Sequence, residues 1–514
     1  DDDSISSGQT RIDDKFIRYS LGVNTDTTGT PTNLTSRKIY SGGLDASEKD
    51  TFTLRLWLNP SVNVDIGGQV FKVKLRIEVN QQIPTPVADK LLAGVGNNGK
   101  IDTTDSEQTF ITGTNPNNYI WYSGKLWRAV SIDQSDNSVK LITQWNISAF
   151  PYNASGNTAF QGSYMEQWLN DTSVDGFLGN LREPEKFIKT DSVWNATLTT
   201  ATTKPEKTTL VTDAVGLLNI YEYMMSYKNA TYSTGYLNND LYWWTLTPYS
   251  TSDVRYVNSN GIGYYVSLAS LIGSRPSINL KSAVKIIDGD GTVDNPYRLQ
   301  GDNDNPTGVL LSTRYSGEYI SFGTGENNLY RIVSHENGTG TKITSAIPLK
   351  DSGSYKDIES GSNATFSKDN IIGTFLNGDY LTSGTYLTSD QVNMIEDNTT
   401  WYLGALDYGT NYKLAKYQDV TGSNLTTSTT TAKIGLLRFG ELMAGQFDKY
   451  GNNTTYWTLT PYGTSNVRYV YNDGGSGNSP AFSLGSRPSM NLKSTVKIVS
   501  GKGTKSSPFV ISNS

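Results

Sequence analysis

Carboxylates are the main catalytic side chains that this sequence offers. The 514-residue chain has no cysteine and a single histidine, His335. Thiolate nucleophiles, thiolate metal sites and a histidine-based triad are therefore excluded within one chain. Hydrolysis by paired acids needs two carboxylates that converge on one pocket. Only one glutamate stands at matched positions of each half, Glu222 and Glu441, so a carbohydrate-active enzyme is the minor alternative and no catalytic residue is predicted.

An acidic turn is the second place where chemistry could occur. Asp288, Asp290 and Asp294 lie in DGDGTVD, which resembles part of a calcium loop but lacks its terminal bidentate glutamate. The corresponding turn later in the chain replaces these acids with Ser500, Lys502 and Ser506. Such a turn therefore forms without a metal, and we predict a plain hairpin with no metal and no cofactor.

An internal repeat positions these residues. Residues 242–299 contain YWWTLTPYSTSDVRYV and GSRPSINLKS, and residues 456–511 contain YWTLTPYGTSNVRYV and GSRPSMNLKS. Upstream, 119–132 matches 319–334. A period of roughly 190 residues indicates a duplicated domain rather than a solenoid. The residues with predicted structural roles that correspond are Trp244 with Trp457, Arg275 with Arg487, and Glu222 with Glu441.

The matched residues have structural interpretations. The tryptophans are predicted to be buried in strands that end at a proline. Each arginine, between a glycine and a proline, is predicted to hold loop carbonyls or a carboxylate. Glu222 and Glu441 are the candidate carboxylates.

The elements follow from periodicity. Apolar alternation predicts strands, and apolar residues at helical spacing predict helices. In the first copy we predict strands at 126–130 and 139–142, helices at 164–170 and 215–227, and a closing hairpin at 284–299. In the second copy we predict strands at 328–334 and 341–347 and helices at 390–397 and 434–447.

The N-terminal region has a different pattern. Residues 52–58 and 70–79 each place apolar residues on one face, which predicts a β-sandwich. The predicted domains are a β-sandwich with an N-terminal extension over 1–85, a linker with a short helix over 86–118, and two α+β repeats over 119–302 and 303–514. The predicted fold class is mainly β with α+β.

Composition limits the function. Charged residues make up 18% of the chain, its net charge is −6, and it has no basic run, which argues against nucleic-acid binding. No stretch reaches the ~18 apolar residues of a transmembrane helix. Abundant Thr, Ser, Asn, Gly and Tyr favour a secreted, cell-surface bacterial protein. A cytosolic β protein is the alternative.

Two resemblances accompany these patterns. The segments GTNPNNYIWYSGKLWRAVSI, GLLNIYEYM, WWTLTP and GSRPSINLKS resemble a repeat domain of uncharacterised function from Gram-positive cell-surface proteins. That domain is similar to the C-type-lectin-like fold of formylglycine-generating enzymes, which implies two tandem lectin-like domains. Formylglycine generation requires cysteines, so that activity is not implied. KIYSGGLDASEKDTFTLRLWL with GGQVFKVKLRIEV resembles the sandwich of camelysin- and TasA-type matrix fibres.

A recognition surface is predicted where the two copies diverge most, between VRYV and GSRP. A fixed frame around an aromatic, glycine-rich loop suits recognition, because tyrosine gives rigid contact area and asparagine gives adaptable hydrogen bonds. Loop drift without function is the alternative. The candidate ligand-binding residues are Tyr256, Asn258, Asn260, Tyr264, Tyr265, Tyr469, Tyr471, Asn472 and Asp473.

An assembly surface is predicted in the N-terminal region. The alternating segment 16–23 could add as a strand to a neighbouring subunit, or it could pack on its own domain. The candidate assembly residues are Ile17, Tyr19, Leu21, Val23, Arg55, Lys72, Lys74 and Arg76.

These observations leave three functions. The first is a non-enzymatic filament, pilus-like or matrix-fibre subunit that self-associates through its N-terminal region and displays adhesive lectin-like domains. The second is a monomeric adhesin that binds a glycan or a protein on a host or partner cell. The third is the carbohydrate-active enzyme.

Overall fold

The chain divides into two compact units, Asp1–Gln82 and Ile83–Ser514. The structure is a computed structural model, and its described residues exclude several segments. The described residues are 9–10, 12–23, 25–34, 51–61, 69–70, 84–153, 156–173, 176–302, 306–335, 340–361, 365–403, 429–438, 441, 455–462, 466–471, 476–479 and 482–513.

Within the described residues of the first unit, a three-stranded antiparallel sheet runs in the order β2–β1–β3. Its strands are β1 (Ile17–Val23), β2 (Thr32–Asn33) and β3 (Phe52–Leu58). Ile17 lies opposite Leu58 and Val23 opposite Phe52. The N-terminal strand therefore pairs within its own chain, which is the alternative that the sequence left open.

The pairing register places the apolar residues of both strands on one face, because directly opposite residues share a face. Tyr19 lies opposite Leu56 and Leu21 opposite Leu54. This face is less buried than predicted, since Leu56 is 38% exposed and Phe52 and Leu58 are also exposed. Residues 71–79, which were predicted to close the sandwich, lie outside the described residues together with Lys72, Lys74 and Arg76. The sandwich stays a prediction.

The first repeat contains a large sheet, a smaller sheet and a separate hairpin. The ten-stranded sheet runs β13–β18–β9–β8–β7–β20–β19–β4, with β6 beside β8 and β5 beside β6; the five-stranded sheet runs β10–β17–β14–β15–β16; and β11 pairs with β12. The strands are β4 (Thr85–Pro86), β5 (Gly99–Asp102), β6 (Gln108–Gly113), β7 (Tyr119–Tyr122), β8 (Lys125–Asp133), β9 (Val139–Thr143), β10 (Ser148–Phe150), β11 (Ser192–Asn195), β12 (Leu210–Asp213), β13 (Val215–Gly216), β14 (Trp243–Pro248), β15 (Asp253–Val257), β16 (Gly263–Ser267), β17 (Ile272–Ser274), β18 (Ser277–Leu280), β19 (Lys285–Asp288) and β20 (Tyr297–Leu299). The helices are α1 (Val87–Leu92), α2 (Tyr164–Asn170), α3 (Pro184–Phe187) and α4 (Ile220–Ser226).

The described residues of the second repeat form the same arrangement of a larger sheet, a smaller sheet and separate hairpins. Its sheets run β33–β23–β22–β21–β35–β34 and β26–β32–β29–β30–β31, and its hairpins are β27–β28 and β24–β25. The strands are β21 (Tyr319–Ser321), β22 (Leu329–His335), β23 (Thr341–Ser345), β24 (Lys350–Asp351), β25 (Ser354–Tyr355), β26 (Asp357–Glu359), β27 (Thr399–Tyr402), β28 (Thr429–Ala432), β29 (Tyr456–Tyr462), β30 (Asn466–Val470), β31 (Ser476–Ser479), β32 (Ser483–Gly485), β33 (Ser489–Leu492), β34 (Val496–Ser500) and β35 (Phe509–Asn513). The helices are α5 (Ile371–Asn377), α6 (Asp379–Thr382) and α7 (Ser389–Met394).

The fold class is therefore mainly β with α+β character, and that prediction is confirmed. In both repeats the closing strand pairs in parallel with the opening strand, β20 with β7 and β35 with β21. Each repeat is closed on itself by this pairing. Residues 86–118, assigned to a linker with a short helix on sequence grounds, hold that helix as α1 and also contain β5 and β6, of which β6 pairs with β8.

The helix predicted over 215–227 is shorter in the structure. Val215–Gly216 form β13, and α4 begins only after Asn219. Asn219 Oδ1 accepts a hydrogen bond from the Glu222 backbone nitrogen, and Glu222 Oε2 accepts one from the Asn219 backbone nitrogen, both at 2.9 Å. This capping box fixes the helix start. The predicted start of this helix was wrong, because the spacing of apolar residues does not show where a capping residue begins the helix. Its counterpart over 434–447 lies mostly outside the described residues.

Buried residues form a contact between the two repeats, which we call the joint. Trp121 stacks on Tyr319 with ring centroids 6.1 Å apart, and Lys125 Nζ donates to the Ser316 carbonyl at 3.0 Å. Burial lowers the pKa of Lys125 to about 7. Burial and the nearby Glu318 raise the pKa of Asp302 to about 7. The joint therefore holds ionisable groups in an environment that disfavours charge.

Among the described residues, no helix combines the length and the apolar character needed to cross a membrane.

Candidate functional site

A buried ion pair supports the same corner of each repeat. Lys140 on β9 donates through Nζ to Glu222 Oε1 in the first turn of α4, and Lys342 Nζ on β23 donates to Glu441 Oε1 at 2.9 Å. All four side chains are buried. Each glutamate is therefore held by a lysine inside the fold, and the ion-pair partner of Glu222 is Lys140 rather than Arg275.

A tryptophan and a glycine complete this corner. Lys140 Nζ lies 5.1 Å from the ring centroid of Trp194 on β11. Gly216 packs against the same ring so closely that a Cβ there would lie 2.4 Å from a ring carbon. The second repeat repeats this arrangement with Lys342 over Trp401 at 5.3 Å and Gly435 against that ring at 2.5 Å. Sequence reasoning missed the lysines, although their equal positions in VKLIT and TKITS were a usable signal.

The matched arginines hold carbonyls. Arg275 Nε donates to the Thr143 carbonyl at 2.6 Å, and its Nη1 donates to the Leu237 carbonyl at 2.5 Å. Arg487 Nε donates to the Ser345 carbonyl at 2.9 Å. Burial lowers the pKa of Arg275 to about 9. The sequence left open whether the partner would be a carbonyl or a carboxylate, and the described Nε of each arginine donates to a carbonyl.

In each repeat, a buried tryptophan packs against the tyrosine that precedes the divergent segment. Trp244 on β14 and Trp457 on β29 are buried. Trp244 lies edge-on to Tyr256, with ring centroids 6.5 Å apart, and Trp457 lies edge-on to Tyr469 at 5.8 Å. The candidate binding segment of each repeat is therefore packed on a core tryptophan.

In the first repeat, exposed tyrosines lie on the edge strand of the smaller sheet. Strand β16 is that edge, and Tyr264 and Tyr265 on it are 47% and 50% exposed. Because neighbouring residues of a strand face opposite sides, the two rings lie on opposite faces. Tyr264 stacks on Tyr256 with centroids 6.3 Å apart, and Tyr265 stacks on Tyr249 at 3.8 Å. We call Tyr249, Tyr256, Tyr264 and Tyr265 the tyrosine edge.

The tyrosine edge is held in place by its neighbours. The Arg255 guanidinium lies 5.0 Å from the Tyr249 ring centroid, and Arg255 also donates to the Thr199 carbonyl at 3.3 Å. Tyr242 lies 6.0 Å from Tyr256 between centroids. Preordered rings lose little rotamer freedom when a ligand binds.

Asn258 and Asn260 shape the turn between β15 and β16. Asn258 Oδ1 accepts from the backbone nitrogens of Asn260 at 3.2 Å and Ile262 at 2.9 Å. Asn260 Oδ1 accepts from the Ile262 nitrogen at 3.1 Å. The amide oxygens of both predicted ligand contacts are thus occupied within the loop.

The second repeat displays a different aromatic set. Tyr469 is buried, and its hydroxyl donates to the Tyr471 hydroxyl at 3.2 Å. Burial raises the pKa of Tyr469 to about 12. Tyr471 is 40% exposed and Phe482 is 54% exposed. Sequence reasoning did not select Phe482, although an aromatic residue in the divergent segment was a signal. Asn472 and Asp473 lie outside the described residues.

Other candidate groups are engaged elsewhere. His335 Nε2 lies 2.5 Å from the Arg314 carbonyl oxygen, and its Nδ1 lies 3.1 Å from Thr341 Oγ1. Asp288 Oδ2 lies 3.3 Å from Arg298 Nη1 and 3.6 Å from Lys502 Nζ. Within the described part of the chain, no group of three His, Asp or Glu side chains could hold a metal ion.

A family comparison covers the core of the first repeat. Residues 136–282 match a domain of unknown function, DUF6273. The match covers the Lys140–Glu222 pair, Arg275 and the tyrosine edge. No curated protein and no solved structure matches the chain.

Proposed function

We propose that the chain is a non-enzymatic, extracellular surface protein that binds a glycan through the exposed aromatic residues of its repeats. The observation that carries this proposal is the tyrosine edge, where two half-exposed rings lie on the two faces of an edge strand. The ligand-binding roles of Tyr256, Tyr264, Tyr265, Tyr469 and Tyr471 belong to this proposal.

Three features support adhesion. The titratable pairs that the repeats share, Lys140–Glu222 and Lys342–Glu441, are buried. The exposed rings belong to the segments that differ between the repeats, so the two copies present different surfaces on one scaffold. Tyrosine rings pack on the apolar faces of sugars, while their hydroxyl groups form hydrogen bonds with the sugar hydroxyls.

The test is a glycan array probed with the whole chain and with three variants. We expect binding to a subset of glycans, at least a tenfold loss in Tyr264→Ala/Tyr265→Ala, and partial retention in Tyr264→Phe/Tyr265→Phe, which keeps the rings. The control is Val293→Ala, which changes an exposed residue of the same repeat away from the edge. Equal binding by the alanine double variant and the unchanged chain would reject the tyrosine edge as the ligand site.

A second function, a filament subunit, is supported by the N-terminal sheet. Phe52, Leu56 and Leu58 are exposed on the apolar face shared with Tyr19 and Leu21. We propose that a second copy of the chain covers this face, so that assembly would use the apolar residues of β1. Arg55 pairs with Ser20 in the sheet and lies on the opposite face.

Electron microscopy tests assembly. Deleting residues 1–23 would remove the central strand, so charged substitutions on the exposed face are the sharper change. We expect fibres from the unchanged chain, none from Leu56→Glu/Leu58→Glu, and fibres from Thr53→Glu, a control on the other face. Monodisperse particles from all three would reject the filament and leave the monomeric adhesin.

A further inference from the structure

The first repeat contains a cleft that the tyrosine edge does not use. Its volume is about 610 Å³, within the range of about 300–1,000 Å³ that small-molecule sites occupy. Its lining includes none of the tyrosine-edge residues. The cleft is therefore a separate candidate site.

The cleft is built from segments far apart in the sequence. One part of its lining is the outer face of the β11–β12 hairpin, where Val193 and Leu210 are exposed and Trp194 faces inward. Another part is the segment before β6, where Asp105 and Glu107 lie. Lys140 and Glu222 also line it. The site thus combines exposed apolar carbons with a dense set of charged groups.

Hydrogen bonds fix the charged part of this lining. Asp105 Oδ1 accepts from the backbone nitrogens of Glu107 and Gln108 at 2.9 Å and 3.1 Å. The Tyr221 hydroxyl donates to Asp105 Oδ2 at 2.9 Å. These bonds and the Lys204 ion pair lower the pKa of Asp105 against the opposing effect of its burial, so the carboxylate stays ionised. Asp105 is therefore fixed in place as part of the lining.

Most of the charged side chains of the cleft are already paired with one another. Lys204 Nζ lies 2.8 Å from Asp105 Oδ2 and 3.1 Å from Glu107 Oε2, and Lys207 Nζ lies 2.6 Å from Glu107 Oε1. With the Lys140–Glu222 pair, six of the seven charged lining side chains are in ion pairs. The seventh, Asp133, accepts hydrogen bonds from the backbone nitrogen and hydroxyl of Ser135.

From this pairing we infer that the cleft binds a neutral, hydroxyl-rich ligand, a short saccharide. An anionic ligand would have to displace a carboxylate from a lysine, because all three lysines of the lining are in ion pairs. A neutral hydroxyl need not, because an ammonium has three donors and a carboxylate about four acceptor sites. The partly exposed Lys207 and Glu107 therefore keep capacity for it. Val193 and Leu210 offer apolar carbons to the C–H face of a sugar ring. This inference does not rest on the proposed function of the tyrosine edge.

The second repeat supplies a matched control. The position of Leu210 on β12 corresponds to Thr429 on β28, since Leu210 pairs with Asn195 and Thr429 pairs with Tyr402 at the same place of each hairpin. No described strand precedes β21 in the position that β5 and β6 occupy in the first repeat. The site therefore belongs to the first repeat.

The experiment measures saccharide binding to the whole chain by isothermal titration calorimetry and saturation-transfer NMR. The probes are neutral di- and trisaccharides of glucose, galactose and N-acetylglucosamine, with sialylated and sulfated trisaccharides for comparison. Leu210→Trp fills the cleft from a solvent-facing position, Thr429→Trp is its counterpart, and Tyr264→Ala/Tyr265→Ala removes the tyrosine edge.

The expected result is binding of at least one neutral probe, a loss of tenfold or more in Leu210→Trp, and unchanged affinity in Thr429→Trp. Retention of that binding by Tyr264→Ala/Tyr265→Ala separates this site from the proposed adhesive surface. Three results would overturn the inference: no neutral probe binds, only charged probes bind, or Leu210→Trp binds as tightly as the unchanged chain.

Discussion

The two repeats share their buried frame and differ in what they expose. Both contain a lysine–glutamate pair beside a tryptophan, an arginine that holds strand carbonyls, and a closing strand parallel to the opening strand. The first repeat alone adds β5 and β6 within the described residues, and with them a cleft. Its exposed aromatic set also differs from that of the second repeat. The frame is the part on which the fold depends, and the exposed part is free to specialise.

The largest expected effect comes from removing one partner of the shared ion pair. Lys140→Met should leave Glu222 as an uncompensated buried charge and destabilise the first repeat by about 3–5 kcal/mol. Lys342→Met should cost the second repeat a similar amount. Urea unfolding followed by tryptophan fluorescence measures both, and Lys140→Met/Glu222→Leu should recover part of the loss. An effect below about 1 kcal/mol in either repeat would mean that the pair is not part of a common frame.

The next effect tests the close contact between glycine and tryptophan. Gly216→Ala and Gly435→Ala should each cost about 1–3 kcal/mol, because the added methyl overlaps the Trp194 or Trp401 ring. The same unfolding assay measures them. Trp194→Phe should relieve the clash of Gly216→Ala, and additive losses in that double variant would contradict the proposed contact.

A pH effect should distinguish the repeats. Burial and the neighbouring Glu166 raise the pKa of Asp213 to about 7 in the first repeat. The side chains of Asn170 and Asn377 form matching hydrogen bonds to the carbonyls of Val215 and Ile434. When the repeats are aligned on these bonds, Gly373 corresponds to Glu166 and Ala432 corresponds to Asp213. Only the first repeat therefore has this carboxyl pair.

The sign of the effect follows from the raised pKa. The folded state keeps a proton that the unfolded carboxyl releases near its ordinary pKa of about 4. The stabilisation is full below that pH and is lost as the pH rises through about 7. Allowing for solvent screening at this half-buried site, we expect Asp213→Asn to remove about 1–2 kcal/mol of pH dependence between pH 4 and pH 8. Equal pH profiles of the variant and the unchanged chain, measured by urea unfolding, would contradict this assignment.

The smallest effects should come from the exposed aromatic residues. Tyr264→Ser in the first repeat and Phe482→Ser in the second should each change stability by less than about 0.5 kcal/mol, because both side chains are about half exposed. The assay is the same unfolding measurement. A loss above about 2 kcal/mol would place that ring in the frame rather than on the exposed surface.

Much of the fold could be predicted from local patterns. The strand alternation at 126–130 and 139–142 corresponds to β8 and β9, and the segment 164–170 corresponds to α2. The start of α4 could not be placed from apolar spacing, because a capping box decides it. The contribution of 99–113 to the first repeat was also hidden, since strand pairing between β6 and β8 is a long-range contact.

The candidate sites were predictable to different degrees. Divergence between the copies pointed to the tyrosine edge, since a repeat can be compared with itself. The engagement of Asn258 and Asn260 within their own loop was not visible, because composition does not show where an amide oxygen points. The cleft could not be predicted at all, since Asp105, Leu210 and Glu222 become neighbours only when the sheet and the hairpin come together.

The sequence by itself determined the duplication, the alternating strands, the lack of cysteine chemistry and the mainly β class. These properties can be read from composition and from repeated patterns in the sequence, without knowing which segments pack together. Tertiary structure decided the partners: Glu222 lies with Lys140 rather than Arg275, Arg275 holds the Thr143 carbonyl, and the N-terminal strand pairs with its own chain. Partner choice depends on which strands become adjacent, and that follows from packing across large separations in the chain.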